Sequence, residues 1–239
     1  PLNLILSAGP VAIGQAAVVS LATFGTIFFV ARRLGLDQRF AATLGAGGAV
    51  CGVSASIAVA GAVGAKKEQG PVAITIVVFW AIVMVFLLPL LARFFGLATG
   101  VAGAWIGTSE FADAAGFAAA QTYGGYAGKV PGIAGTPDDA VNAFTLMKVI
   151  GRDLWVGIWA FVLSFIAVSR WSDTGVDTRV GAGEVWRRFP KFVLGFLLSS
   201  LIVAWIASTY PAADFKRVLD PELIGPLKNL RVWAFTFCF

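Results

Sequence analysis

The stretch LGAGGAVCGVSASIAVA, Leu44 to Ala60, is apolar enough to lie in a membrane yet badly suited to an unbroken helix. Gly45, Gly47, Gly48, Cys51, Gly52, Ser54 and Ser56 stand where a membrane helix usually carries Leu or Ile. Within lipid, non-helical backbone is tolerated only where it is buried in protein or lines a cavity, and broken helices of this kind turn free N–H and C=O groups toward a substrate or ion. A half-helix N-terminus carries partial positive charge, which suits an anion. Close helix packing is the competing reading, because Gly48 and Gly52 form a small-xxx-small pair. A dinucleotide-binding loop is the weaker rival: Val50 occupies the third glycine position counted from Gly45, and no strand and helix frame the run.

The sequence around this run excludes a soluble globular domain. Of the 239 residues, 58% are hydrophobic and 13% charged, with a mean hydropathy of +0.84, whereas soluble domains carry roughly a quarter charged residues. Pro1 to Ala31, Phe40 to Ala65, Pro71 to Ala92 and Phe192 to Ala213 contain no Asp, Glu, Lys or Arg. Each exceeds the roughly 18 residues at which a spanning helix is the default reading. Trp171, Trp186 and Tyr210 lie near run ends, where an interfacial ring keeps one edge wet.

The segments expected from this pattern are 11–31, 41–65 (broken), 71–93, 97–120 (interrupted), 139–169, 192–208 and the start of another at 227–239. They form a single transmembrane domain of all-α class, expected to be truncated at both ends. Pro71 suits the first turn of a helix. Gly124 to Gly135 reads as a loop, and Arg170 to Lys191 as a water-exposed connector. If every segment spans, Arg32, Arg33, Arg39, Arg93 and the basic residues of 170–191 share one side, while Lys66, Lys67, Lys129, Lys216, Arg217, Lys228 and Arg231 fall on the other. The positive-inside bias on that count is modest.

Ionisable residues inside the fourth and fifth segments form the second candidate constellation. Glu110 and Asp113 are spaced i,i+3, and Lys148 and Arg152 i,i+4, so each pair would share a helix face. A charge at membrane depth costs roughly 2.5 to 3.5 kcal/mol on insertion scales and usually faces a bundle interior or aqueous cavity. The set reads either as a structural ion-pair lattice, or as Lys148 and Arg152 attracting an anion with Glu110 and Asp113 coupling a proton or cation. Thr108 and Ser109 add neutral ligands in both versions. Histidine is absent and Cys51 and Cys238 lack metal-ligand spacing, which excludes a zinc site and a histidine relay. With no base to activate a serine, no enzyme is expected, and no cofactor. The net charge of +5 does not gather into a nucleic-acid stripe.

The residues also carry a resemblance. GLDQRFAATLGAGGAVCGVSASIAVAGAV (Gly35 to Val63), AWIGTSEFADAAGFAAA (Ala104 to Ala120) and AVNAFTLMKVIGRDLW (Ala140 to Trp155) resemble segments of the YeiH family, the UPF0324 membrane proteins, whose label is sulfate export. Glu110 with Asp113 departs from the His-Glu pair of the family pattern, and the Lys148 to Arg152 spacing is one residue longer. The resemblance implies a polytopic bundle, part of a ten-helix inverted-repeat transporter with discontinuous crossing helices, in which 41–65 is one broken helix and 227–239 begins its partner. It implies a secondary transporter exporting a small anion, sulfate or sulfonate-like, across the bacterial inner membrane by alternating access. The implied site would use Gly45, Gly47, Gly48, Cys51, Gly52, Ser54, Thr108, Ser109, Lys148 and Arg152 for the anion. Partners would be the substrate anion, the lipid bilayer and a second copy in a homodimer. A sodium- or proton-coupled cation exchanger using Glu110 and Asp113, and a non-transporting structural subunit, are the alternatives.

Overall fold

The computed structural model describes residues 2–171 together with Leu198, Ile202 and Trp205. The chain divides into two compact units, Pro1–Pro190 and Lys191–Phe239. In the second, Leu198, Ile202 and Trp205 are helical. The expected segment 227–239 and the rest of 192–208 lie outside the described residues. In the first unit, the described residues are all-helical: α1 (Leu2–Arg33), α2 (Gln38–Ala49), α3 (Val53–Val63), α4 (Gln69–Phe94), α5 (Thr99–Ser109), α6 (Asp113–Gly124), α7 (Pro137–Thr145), a π-helical segment (Leu146–Arg152) and α8 (Trp155–Arg170).

Local chemistry explains most of these boundaries. Asp37 caps α2 by accepting the N–H groups of Arg39 and Phe40 at 3.1 and 3.3 Å. Thr136 opens α7 in a reciprocal box: its hydroxyl accepts from the Asp139 N–H, and the Asp139 carboxylate accepts from the Thr136 N–H at 2.8 Å. Pro137 and Pro71 sit in first turns, where the missing N–H costs nothing. Pro10, by contrast, lies inside α1, so that helix starts earlier than the expected 11–31.

The two interrupted segments turn back. Arg39, at the start of α2, donates to the carbonyl of Gly64, just past the end of α3, at 3.1 Å. The end of α3 therefore lies beside the start of α2, and the pair is a helical hairpin. Tyr123, near the end of α6, donates to the carbonyls of Leu97 and Ala92 at 2.5 and 3.1 Å. Those groups lie just before α5 and near the end of α4, so α5 and α6 form a second hairpin entered from the other end of the unit. The resemblance implied that 41–65 is a discontinuous helix crossing the bundle against a partner begun at 227–239; α2 and α3 instead return to the end from which they came, and the implied partner lies outside the described residues. Lys66 and Lys67 consequently join Arg32, Arg33 and Arg39 at one end, and Arg93 moves to the other, correcting the expected loop parity.

Between the hairpins run longer elements. Among the described residues, Pro10–Arg33, Gln69–Phe94 and Pro137–Ala167 are long and apolar enough to cross a membrane. The last of these was expected as one segment, 139–169; it contains a π-helical stretch and a turn at Asp153 and Leu154. α1 lies parallel to it, as successive pairs show: Gly151 against the Ala12 backbone, Trp159 Nε1 donating to Ser20 Oγ at 2.7 Å, and Phe28 stacked with Trp171 at 6.3 Å. α5 packs parallel to α7 through Gly103 against Ala140 and Gly107 against Phe144. A Cβ at Gly103 would collide with the Ala140 backbone, so this contact requires glycine. Large apolar side chains such as Phe79, Ile82, Phe86 and Leu90 of α4 stay exposed, a continuous surface suited to lipid.

Candidate functional site

The hairpin tips meet. α2 has 12 residues and α5 has 11, which correspond to about 18 and 16 Å of rise. Entering from opposite ends, they together cover the ~30 Å of a bilayer core. At the first tip, Gly52 has φ +69° and ψ −105°, a conformation that only glycine takes without strain. A Cβ there would stand 2.8 Å from Val77 Cγ1 of α4 and 3.5 Å from the carbonyl of Phe111, which belongs to the second tip. The second tip is Glu110–Ala112, in extended backbone that any residue adopts (φ −75° and −95° at its two ends).

Two cations on the π-helical segment hold the tips. Arg152 is buried and donates to backbone carbonyls of both: Gly48 at 3.0 Å and Ala49 at 3.3 Å on one side, Thr108 at 2.7 Å and Glu110 at 3.2 Å on the other. These are C-terminal carbonyls of α2 and α5, which have no partner within their helices. Lys148, fully buried, donates to the Val50 carbonyl at 3.1 Å and pairs with Asp113 and Asp153, each at 2.7 Å. Its three N–H donors thus have three acceptors. The π geometry matters here: the Asp153 N–H bonds to the Lys148 carbonyl at 3.1 Å, an i→i+5 step. That step returns Asp153 over Lys148. The α-helical face expected for Lys148 and Arg152 is replaced by a wider turn, and both side chains point to the tips.

The remaining candidates divide between this centre and its surroundings. Glu110 is buried; its Oε1 accepts the Ala112 N–H at 2.9 Å, and its Oε2 has no hydrogen-bond partner among the described residues. Asp113, in the first turn of α6, remains 55% exposed on its side chain. Cys51 is buried at the first tip and Ser54 exposed in the first turn of α3. Gly45 and Gly48 face Phe24 and Ile27 of α1, and Gly47 faces Ser56 across the hairpin, so their missing side chains serve packing; Gly48 also contributes its carbonyl. Thr108 turns its hydroxyl back on the Ala104 carbonyl at 2.8 Å and offers its own carbonyl to the centre. Ser109 closes α5 beside it. Among the described residues no His, Cys, Asp and Glu cluster has metal-binding geometry. Asp153, Phe111 and the carbonyls of Ala49 and Val50 were not singled out by sequence reasoning. Asp153 alone had a signal there, a carboxylate one residue after Arg152.

The family described as conserved hypothetical protein 698 matches residues 2–239. The chain belongs to this family. A UPF0324 membrane protein of Rhodopirellula baltica is 32% identical over 190 residues, covering 80% of this chain and 32% of the relative. One of Nitratidesulfovibrio vulgaris is 32% identical over 239 residues, covering 97% of this chain and 59% of the relative. An uncharacterized protein of Archaeoglobus fulgidus is 43% identical over 68 residues, covering 28% of this chain and 35% of its own length. The chain spans about a third of the length of the first curated relatives it matches, 32% and 30%. No solved structure matches. Family membership, the names of the relatives and the apolar helices together make this a membrane protein.

Proposed function

We propose that the chain forms part of a secondary transporter for a small anion, in which the meeting of the two hairpin tips is the substrate site. One observation carries this reading: two helical hairpins enter from opposite ends, and their unwound tips meet over a buried charged cluster. Transporters that work by alternating access place their sites where half-helices end near the bilayer midplane. The polarity favours an anion. α3 begins at the first tip with no side-chain cap and no acidic residue in its first turn, so a positive helix end opens there, and the matching end of α6 already carries a carboxylate, Asp113, in its first turn. The carbonyl ends of α2 and α5 are already neutralised by Lys148 and Arg152.

Asp113 then marks the substrate position. It is a carboxylate at the start of α6, half exposed, resting on an otherwise sealed lysine. An incoming sulfate or sulfonate would take its place on Lys148 Nζ, with Ser54 at the start of α3 adding a hydroxyl. Arg152 has its bonds committed to the tips and sets their separation. Among the described residues, six basic residues, Arg32, Arg33, Arg39, Lys66, Lys67 and Arg170, flank one end, against Arg93 and Lys129 at the other; the first end is assigned to the cytoplasm of a multi-pass plasma-membrane protein. Export is the direction that the sulfate-exporter resemblance supplies.

The test is flux of sulfate, sulfite, thiosulfate and taurine-like sulfonates in proteoliposomes holding the full protein. Flux of one of them, lost in Lys148→Ala at equal folded protein, is the expected result; unchanged flux in that variant would overturn the site. A cation exchanger is the second reading, favoured by the buried Glu110 carboxyl with one unpartnered oxygen. Sodium- or pH-driven exchange without anion flux, abolished by Glu110→Gln, would select it.

A further inference from the structure

We propose that Arg152 is a tethered cation: its guanidinium fills a carbonyl cage that the two half-helix ends would otherwise offer to a free alkali-metal ion. α2 and α5 both run toward the tips, so each presents there its last carbonyls and the negative end of its dipole. The carbonyls of Gly48, Ala49, Thr108 and Glu110 all turn to one guanidinium, at 2.7 to 3.3 Å. Val50 adds a fifth carbonyl, taken by Lys148 at 3.1 Å. Backbone oxygens gathered from unwound half-helix ends are the donor set by which membrane transporters coordinate sodium. The second tip also carries a buried carboxyl oxygen, Glu110 Oε2, with no partner among the described residues. The cage is thus complete in oxygen donors, and its positive charge is supplied by the chain.

The consequence concerns coupling. A cation that is covalently attached cannot leave, so the tips stay joined through the cycle without a sodium ion at this position. Any ion coupling must act elsewhere. The inference rests on the tips being the transport site for its meaning, but its test reads binding, so each can fail alone.

The experiment is thermal unfolding of the full protein, purified in detergent, in choline chloride against sodium or potassium chloride at equal ionic strength. Wild type and Arg152→Lys, which both keep a tethered charge, should unfold at the same temperature in every salt. Arg152→Ala should melt lower in choline and recover, saturably, by about 3 °C or more as sodium or potassium is titrated. An arginine that merely props the fold predicts the same loss in all salts, and that result overturns the proposal. So does saturable sodium stabilisation of the wild type. If Arg152→Ala is recovered folded only in sodium or potassium, the cage is supported by that yield. If it fails in every salt, Arg152→Gln is put through the same comparison, and salt-indifferent melting of that variant counts against the cage. Absence of anion flux in the wild type would sink the transport reading and leave this salt comparison standing.

Discussion

The two hairpin tips meet at one arginine, yet they are built by different means. The first turns through Gly52, in a conformation closed to other residues, and is walled by Ala and Val packed against α8: Ala46, Ala49, Val59 and Ala62 with Trp159 and Leu163. The second turns through extended backbone at Glu110 and Ala112, and a side chain of the tip itself, Glu110, accepts the Ala112 N–H. One tip is held by what its residues lack, the other by what they carry. Substitutions should therefore hurt the first by adding atoms and the second by removing them.

The largest effect is expected at the lysine between the tips. Lys148→Met leaves Asp113 and Asp153 facing each other across a site that was neutralised by the ammonium, and removing one partner of a buried pair costs about 3 kcal/mol or more. Asp153 is 23% exposed and Asp113 55%, so water softens the loss at Asp113 more than at Asp153. Combining Lys148→Met with Asp153→Leu should recover much of the lost stability, measured by thermal unfolding in detergent. No recovery would mean that Lys148 acts through the Val50 carbonyl, and that the first tip depends on it more than the second.

Gly52→Ala comes next and addresses the asymmetry directly. It places a Cβ 2.8 Å from Val77 Cγ1 at positive φ, and such backbone strain alone costs about 1 to 3 kcal/mol. Ala112→Gly, the matching change at the second tip, should cost under about 1 kcal/mol, since only chain entropy is involved. Equal losses in the two variants would remove the distinction between the tips. Glu110→Ala should fall between them, at about 1 to 2 kcal/mol, because the Ala112 N–H loses its acceptor.

This difference also decides what could be read in the sequence. A tip made of glycine is visible as composition: the run Gly45 to Gly52 marks a break at membrane depth. A tip made of extended Glu110–Ala112 announces nothing, because those backbone angles are open to any residue, and only its charges marked it as an interruption. Hairpin return was hidden in both cases. It depends on Arg39 reaching Gly64 and Tyr123 reaching Leu97, contacts 25 and 26 residues apart, and no local pattern encodes them. The charged residues were legible as a set, and their spacing misled: i,i+4 on an α-helix aligns Lys148 with Arg152, whereas the π turn aligns Lys148 with Asp153. The carbonyls that Arg152 holds carry no sequence signature at all, since every residue has one.

Asp113→Asn should have the smallest effect on stability and the most specific one on function. The side chain is half exposed, and ion pairs open to water contribute about 0 to 1 kcal/mol, so the melting temperature should move little. The amide keeps the shape of the carboxylate but gives up its charge, and Lys148 retains Asp153 as its remaining anionic partner. If Asp113 occupies the place of the substrate, the variant should bind the transported anion more tightly than wild type, since a neutral amide competes for the ammonium less well than a carboxylate. Exchange should slow correspondingly, because release then lacks the carboxylate that displaces the anion. Isothermal titration and counterflow on the same preparation separate these two effects. Weaker binding in Asp113→Asn would instead make the carboxylate part of a cation site, and would shift the second tip from covering the substrate to coordinating an ion.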